Sequence, residues 1–133
     1  MTNTKIAIGC LVQWYEVDVV KDYIKSLRLA VDSYGKDNVI VDFTFSVNQD
    51  LEKSSTDVLN SCREKFDLLI NEFNFNYTIV NSLFTIADYR RNFNINFCDK
   101  ADVLIWGESD MIVPRQMFII IDSLHQSVQQ AKI

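Results

Sequence analysis

The tripeptide Glu108-Ser109-Asp110 closes an apolar run, Ala101-Asp102-Val103-Leu104-Ile105-Trp106-Gly107. Carboxylates at the mouth of a buried strand are costly to desolvate, and they need a cation, a hydrogen-bond donor or water beside them. A strand end holds two such groups in fixed geometry, and an oxygen-preferring ion such as Mg2+ or Mn2+ suits the pair. The plainer reading is that the acids mark where the strand reaches solvent. Similar groups follow two earlier apolar runs, as Gln13-Trp14-Tyr15-Glu16 and Asn48-Gln49-Asp50. An aromatic ring beside an amide or carboxylate can receive a nucleobase by stacking and edge hydrogen bonds. An acidic pair can hold a divalent ion that bridges a diphosphate. Arg90 and Arg91 precede the acidic run and can balance its charge or reach phosphate oxygens. Each group also has a structural reading: rings that cover a sheet edge, an ordinary loop acid at Asp50, a solvated helix face at the two arginines.

The elements that must position these groups follow from hydrophobic period. Residues 5–12 form a continuous apolar run with little alternation, the pattern of a buried strand. From Val17 the spacing becomes helical through Val20, Ile24, Leu27 and Val31, and Gly35 supplies a stop. Residues 39–47 are rich in β-branched and aromatic side chains and read as a second strand. Residues 48–57 read as a polar loop whose Ser-Ser-Thr-Asp end offers an N-cap, and Val58, Leu59, Cys62, Phe66 and Leu69 continue as a helical stripe. Phe73, Phe75, Tyr77 and Ile79 alternate with polar residues, which predicts a third strand towards an edge. Residues 81–99 fit either period; helix is preferred because it supplies the crossover before the fourth strand, residues 101–106. Pro114 falls where a first helical turn tolerates proline, and Met117, Phe118, Ile121, Leu124 and Val128 mark the closing helix. The order βαβαβαβα predicts an α/β fold, a three-layer αβα sandwich with a mainly parallel sheet, over a single domain spanning residues 1–133. Ligands of such sheets collect at the carboxyl ends of the strands, where all the candidate groups fall.

Composition narrows the class. At 133 residues the chain is long enough for one self-sufficient core, and 48% hydrophobic with 23% charged residues is the balance of a globular domain. A net charge of -5 argues against duplex binding, which uses basic surfaces, so nucleic acid is not an expected partner. There is no run of roughly 20 apolar residues for a transmembrane segment and no signal-peptide pattern at the N-terminus. Cys10, Cys62 and Cys98 are odd in number and widely separated, which fits a reducing, cytoplasmic location better than a disulfide framework. His125 is the sole histidine, so a histidine-rich metal centre is excluded. Neither GxxxxGK[ST] nor GxGxxG occurs, which disfavours a P-loop or a Rossmann dinucleotide site.

In order and spacing, these segments resemble the GT-A glycosyltransferases, especially the family-2-like group. The resemblance rests on Ile6-Ala7-Ile8-Gly9-Cys10-Leu11-Val12-Gln13-Trp14-Tyr15-Glu16, on Lys25-Ser26-Leu27, on Arg91-Asn92, and on Glu108-Ser109-Asp110 followed by Pro114. Glu16 stands where the family usually has Asn, Asn48-Gln49-Asp50 replaces a more acidic turn, and Glu108 replaces the first Asp of an Asp-X-Asp motif. The resemblance implies a Rossmann-like nucleotide-binding half that takes a nucleoside-diphosphate sugar and passes the sugar to an acceptor of unknown identity. It implies that Gln13, Tyr15 and Glu16 line the base and ribose pocket, with Asn48 or Asp50 at the base edge and Arg91 supporting the nucleotide. It further implies that Glu108 contacts ribose or sugar and that Asp110, with Glu108, ligates Mn2+ or Mg2+ on the diphosphate. In that family an acceptor-binding half and a catalytic base normally follow the acidic motif, where this chain has one helix. Apolar surface left on the last strand and helix makes a homo-oligomer a reasonable expectation.

Two other classes compete. A Toprim-like phosphoryl-transfer domain would use Glu16 with Glu108 and Asp110, although no glycine follows Glu16. A non-catalytic assembly module would leave the acids solvated and turn the aromatics to a partner.

Overall fold

The computed structural model describes residues 3–48 and 56–131. Four parallel strands form one sheet in the order β3-β2-β1-β4: β1 Ile6–Gln13, β2 Val39–Ser46, β3 Thr78–Val80 and β4 Val103–Trp106. Among the described residues four α-helices accompany them: α1 Val20–Tyr34, α2 Thr56–Glu72 and α3 Ile86–Phe97 between strands, and α4 Met117–Ala131 after β4. The result is the Rossmann-like three-layer α/β sandwich that the period changes predict. Strand β1 lies between β2 and β4, and Ile6 through Val12 are all buried. This explains its uninterrupted apolar run: both faces are covered, so neither selects for polar residues.

The two faces carry unequal cores. Ile6, Ile8, Cys10 and Val12 of β1, with Phe43 and Phe45 of β2, pack against α1, α2 and Phe118 of α4. Ala7 and Leu11 point the other way, against Tyr89 and Phe93 of α3. This division follows from chain direction. The steps from β1 to β2 and from β2 to β3 advance one way across the sheet, whereas the step to β4 returns past β1. Right-handed crossovers therefore place α3 on the opposite face.

Glycine makes the junction of β1 and β4 possible. The Gly107 N–H donates to the Gly9 carbonyl at 2.7 Å. A Cβ on Gly107 would lie 2.2 Å from the Tyr23 hydroxyl, and one on Gly9 would lie 2.3 Å from that of Tyr89. Because Gly9 is bare, the Tyr89 ring passes over β1 and its hydroxyl donates to Asp42 Oδ2 at 2.7 Å on β2.

Several element ends depart from the sequence expectations. A 3-10 turn, Trp14–Glu16, precedes α1, which begins at Val20 rather than near Val17. The third strand is confined to Thr78–Val80, at the sheet edge as expected. Phe75 and Tyr77 alternate for another reason. Asn74, with φ +58°, turns the chain after α2, the Phe75 N–H bonds back to the Ile70 carbonyl, and both rings enter the aromatic cluster around Phe43 and Phe66. Residues 81–99 contain the preferred helix, capped by Thr85. Pro114 lies ahead of α4 rather than in its first turn, its carbonyl accepting the Met117 N–H at 3.0 Å. Phe118 is buried, but Ile120, Leu124 and Val128 of the same helix face outward. Among the described residues no helix is long and apolar enough to cross a membrane.

Gly107→Ala is expected to force Tyr23 or β4 aside and to lower the unfolding free energy by about 1–3 kcal/mol. Urea denaturation of the two proteins at equal m-value checks this; an unchanged midpoint would show that the β1–β4 approach is not a constraint.

Candidate functional site

A strand order that runs one way from β1 to β3 and returns to β4 leaves a switch point between β1 and β4, where parallel sheets bind ligands. A cleft of about 560 Å³ opens there, at the carboxyl ends of both strands. Clefts of about 510 Å³ beside Arg28 and Lys36 and about 480 Å³ beside Arg63 and Tyr77 are of comparable size, so volume does not single this one out. Its residues do. The end of β1 contributes Gln13 and the turn after it Tyr15 and Glu16; the segment after β4 contributes Glu108, Ser109 and Asp110; α3 contributes Ile86 and Arg90. Groups far apart in sequence, such as Glu16 and Ser109 at a separation of 93, thus share one wall.

Tyr15 is 61% exposed and presents a ring at the rim, standing edge-on to Trp14 with centroids 5.5 Å apart. Trp14 packs back against the core. Gln13 joins the strand ends: its Oε1 accepts the Asn48 Nδ2 at 2.6 Å, while Asn48 Oδ1 accepts the Phe84 N–H at 2.9 Å. Asn48 is therefore a buried link between β2 and the approach to α3, with φ +45° and both amide ends engaged, and it does not line the cleft. Asp50, the other residue expected at the base edge, lies outside the described residues.

The two arginines separate. Helical rotation is about 100° per residue, so with Tyr89 and Phe93 buried, Arg90 falls on the flank of the inner face and Arg91 outside it. Ile86, Arg90 and Asn94 form an i, i+4, i+8 row along the β4 side. There Asn94 Oδ1 accepts the Trp106 indole N–H at 3.0 Å, and the Arg90 guanidinium lies 4.8 Å from the Trp106 ring centroid. Arg90 also meets Glu108 Oε1 at 3.4 Å, and its Nε is buried without a hydrogen-bond partner. Arg91 forms a surface pair with Asp88 at 3.5 Å and does not line the cleft. The guanidinium at the site is that of Arg90, and the signal that finds it is its register with Ile86.

Both oxygens of Glu16 are engaged: Oε1 accepts the Gln13 N–H at 2.9 Å and Oε2 accepts the Ser109 hydroxyl. Asp110 is exposed and, among the described residues, has no hydrogen-bond or ion-pair partner. Behind this wall the Cys10 thiol is pushed far up by burial, with Glu16, Glu108 and Asp110 adding to the effect in that order. The three acids therefore act together on one buried point, and Cys10 remains a neutral core side chain. Among the described residues no group of three or more His, Cys, Asp or Glu is placed to hold a metal ion. Glu108 and Asp110 are two exposed carboxylates on the cleft wall.

The chain matches no protein-family model, and no similar sequence is found among curated proteins.

The helix that presents Arg90 is itself tuned by charge. Thr85 Oγ1 accepts the Asp88 N–H at 3.1 Å and Asp88 Oδ2 accepts the Thr85 N–H at 3.0 Å, a reciprocal cap. The Thr85 backbone N–H does most to hold the Asp88 carboxyl below the ordinary aspartate value of 3.8, with its hydroxyl next and Arg91 adding a little. A depressed folded pKa stabilises the fold above the unfolded pKa and ceases to do so as pH falls through the folded one. The stability difference between wild type and Asp88→Asn is therefore expected to be full at pH 7, to shrink below about pH 3.8, and to vanish at lower pH. Denaturant titrations across that range test it; a difference independent of pH would remove the carboxylate from the cap.

Proposed function

We propose that this domain binds a nucleoside-diphosphate sugar in the β1–β4 cleft, as the donor-binding half of a glycosyltransferase of the GT-A kind. One observation carries the reading. A single cleft brings together an exposed aromatic ring, a guanidinium and a pair of exposed carboxylates, each suited to a different part of such a ligand. Tyr15 offers a ring face for the base. Arg90, which meets Glu108 in a long ion pair and lies over the Trp106 ring, offers its guanidinium to phosphate oxygens. Glu108 and Asp110 would hold Mn2+ or Mg2+, and a divalent ion there supplies positive charge for the diphosphate, the group that departs when sugar is transferred. Leu11, Val19 and Ile86 add apolar surface to the walls of the cleft.

The Toprim-like reading asks Glu16 to act as a free metal carboxylate. Its two oxygens already accept hydrogen bonds from Gln13 and Ser109, which favours the donor reading. The assembly-module reading is favoured by no particular contact at this cleft.

The test is a thermal-shift panel of nucleoside diphosphates and sugar nucleotides, each with and without Mn2+. A ligand at about 100 times its Kd adds about 2.7 kcal/mol, enough to raise the midpoint by several degrees. UDP or GDP with Mn2+ is expected to do so for the wild type, and Asp110→Ala is expected to abolish the Mn2+-dependent part. No shift with any member of the panel would refute the proposal.

A further inference from the structure

We propose that Glu16 is a positioning residue rather than a ligand: through Ser109 it fixes the loop that carries Glu108 and Asp110. The inference rests on reading the cleft as a metal-dependent diphosphate site.

The stretch from Gly107 to Val113 is pinned at both ends. At its start the Gly107 N–H donates to the Gly9 carbonyl at 2.7 Å, and at its end the Val113 N–H donates to Ser26 Oγ at 2.8 Å. Between these points the Met111 N–H closes a turn onto the Glu108 carbonyl at 3.0 Å. A turn alone does not fix which way its side chains point relative to the rest of the domain. The Ser109 hydroxyl supplies that reference by donating to Glu16, a residue 93 positions earlier.

Exposure follows this tie. Ser109 is 6% exposed, whereas Glu108 and Asp110 on either side of it are exposed and line the cleft. Drawing the middle side chain inward turns its neighbours outward, so one hydroxyl sets the aim of two carboxylates. Glu16 is suited to the task because it is itself fixed. Its other oxygen accepts the Gln13 N–H at 2.9 Å, across the 3-10 turn of residues 14–16. One carboxylate therefore clamps the loop after β1 to the loop after β4, directly beneath the cleft. Hydrogen bonds to an ionised acceptor are the stronger kind, which favours a carboxylate over an amide at this position.

Loss of an outer partner of a metal ligand typically weakens metal affinity about tenfold to a hundredfold. Four variants test the tie: Glu16→Ala and Glu16→Gln, Ser109→Ala and Ser109→Thr. Two measurements are made on each, amide hydrogen exchange of the free protein and titration with UDP and GDP, with and without Mn2+. Glu16→Ala and Ser109→Ala are expected to speed exchange within residues 107–113 while the β1 amides stay protected. They are also expected to weaken Mn2+-dependent nucleotide binding about tenfold to a hundredfold, leaving the metal-free part unchanged. Ser109→Thr keeps the hydroxyl and restores both readouts, and Glu16→Gln keeps one good acceptor and falls between. Unchanged exchange in the loop overturns the proposal, as does faster exchange throughout the protein, which signals general destabilisation. An equal loss of metal-free binding also overturns it, because Glu16 then touches the nucleotide. If the wild type takes neither nucleotide in the presence of Mn2+, the donor reading fails, and loop exchange alone decides whether the tie exists.

Discussion

The architecture depends on how closely β1 and β4 approach at their carboxyl ends. Gly9 and Gly107 meet through one hydrogen bond, and a tyrosine covers each glycine from an opposite face of the sheet. Tyr23 belongs to the helix layer formed by α1, α2 and α4, Tyr89 to the layer formed by α3 alone. The two rings occupy the volume that side chains at these positions would need, so the layers are keyed to each other through the sheet. The same contact sets where β4 ends, and therefore where the acidic loop begins. Tyr89 extends the key sideways to Asp42 on β2, and its hydroxyl is held protonated by burial first and by that carboxylate second.

The charged groups above this junction differ in how firmly they are held. Glu16 accepts a hydrogen bond on each of its oxygens. Arg90 has a 3.4 Å ion pair with a largely exposed Glu108 and a contact with the Trp106 ring. Exposed pairs contribute about 0–1 kcal/mol and exposed cation–π contacts about 0.5–1 kcal/mol, so Arg90 can change partners at small cost. Asp110 has no hydrogen-bond or ion-pair partner among the described residues. Rigid support below and weakly held charge above is the arrangement expected of a surface that reorganises around an ionic ligand without deforming its scaffold.

Much of this was legible from residue order, because burial of β1 on both faces and the helical stripes of α1 and α2 impose strong periods. The carboxyl-edge segments could be located from strand order alone, since a parallel sheet sends all its strand ends one way. What period could not convey is direction about a single residue. Arg91 and Arg90 are equivalent as charges, and only the register of α3 against Tyr89 and Phe93 separates them. Asn48 looked like a ligand because it is polar and follows a strand; its burial between Gln13 and Phe84 depends on a left-handed turn and on contacts 35 and 36 residues away. Phe75 and Tyr77 imitated a strand because alternation records which side is buried, not which backbone conformation buries it. Ser109 carries no signal of its own between two acids, since a serine's significance lies in its partner.

The outward row on α4 bears on how the protein behaves in concentrated solution. Ile120, Leu124 and Val128 are each more than half exposed, and Ile119 beside them adds a further exposed aliphatic side chain. At neutral pH a net charge of -5 opposes association through this greasy strip. Acidification protonates carboxylates and removes that repulsion, whereas the aliphatic row does not titrate. Lower pH and added salt therefore act in the same direction on this strip, the first by removing negative charge and the second by screening it.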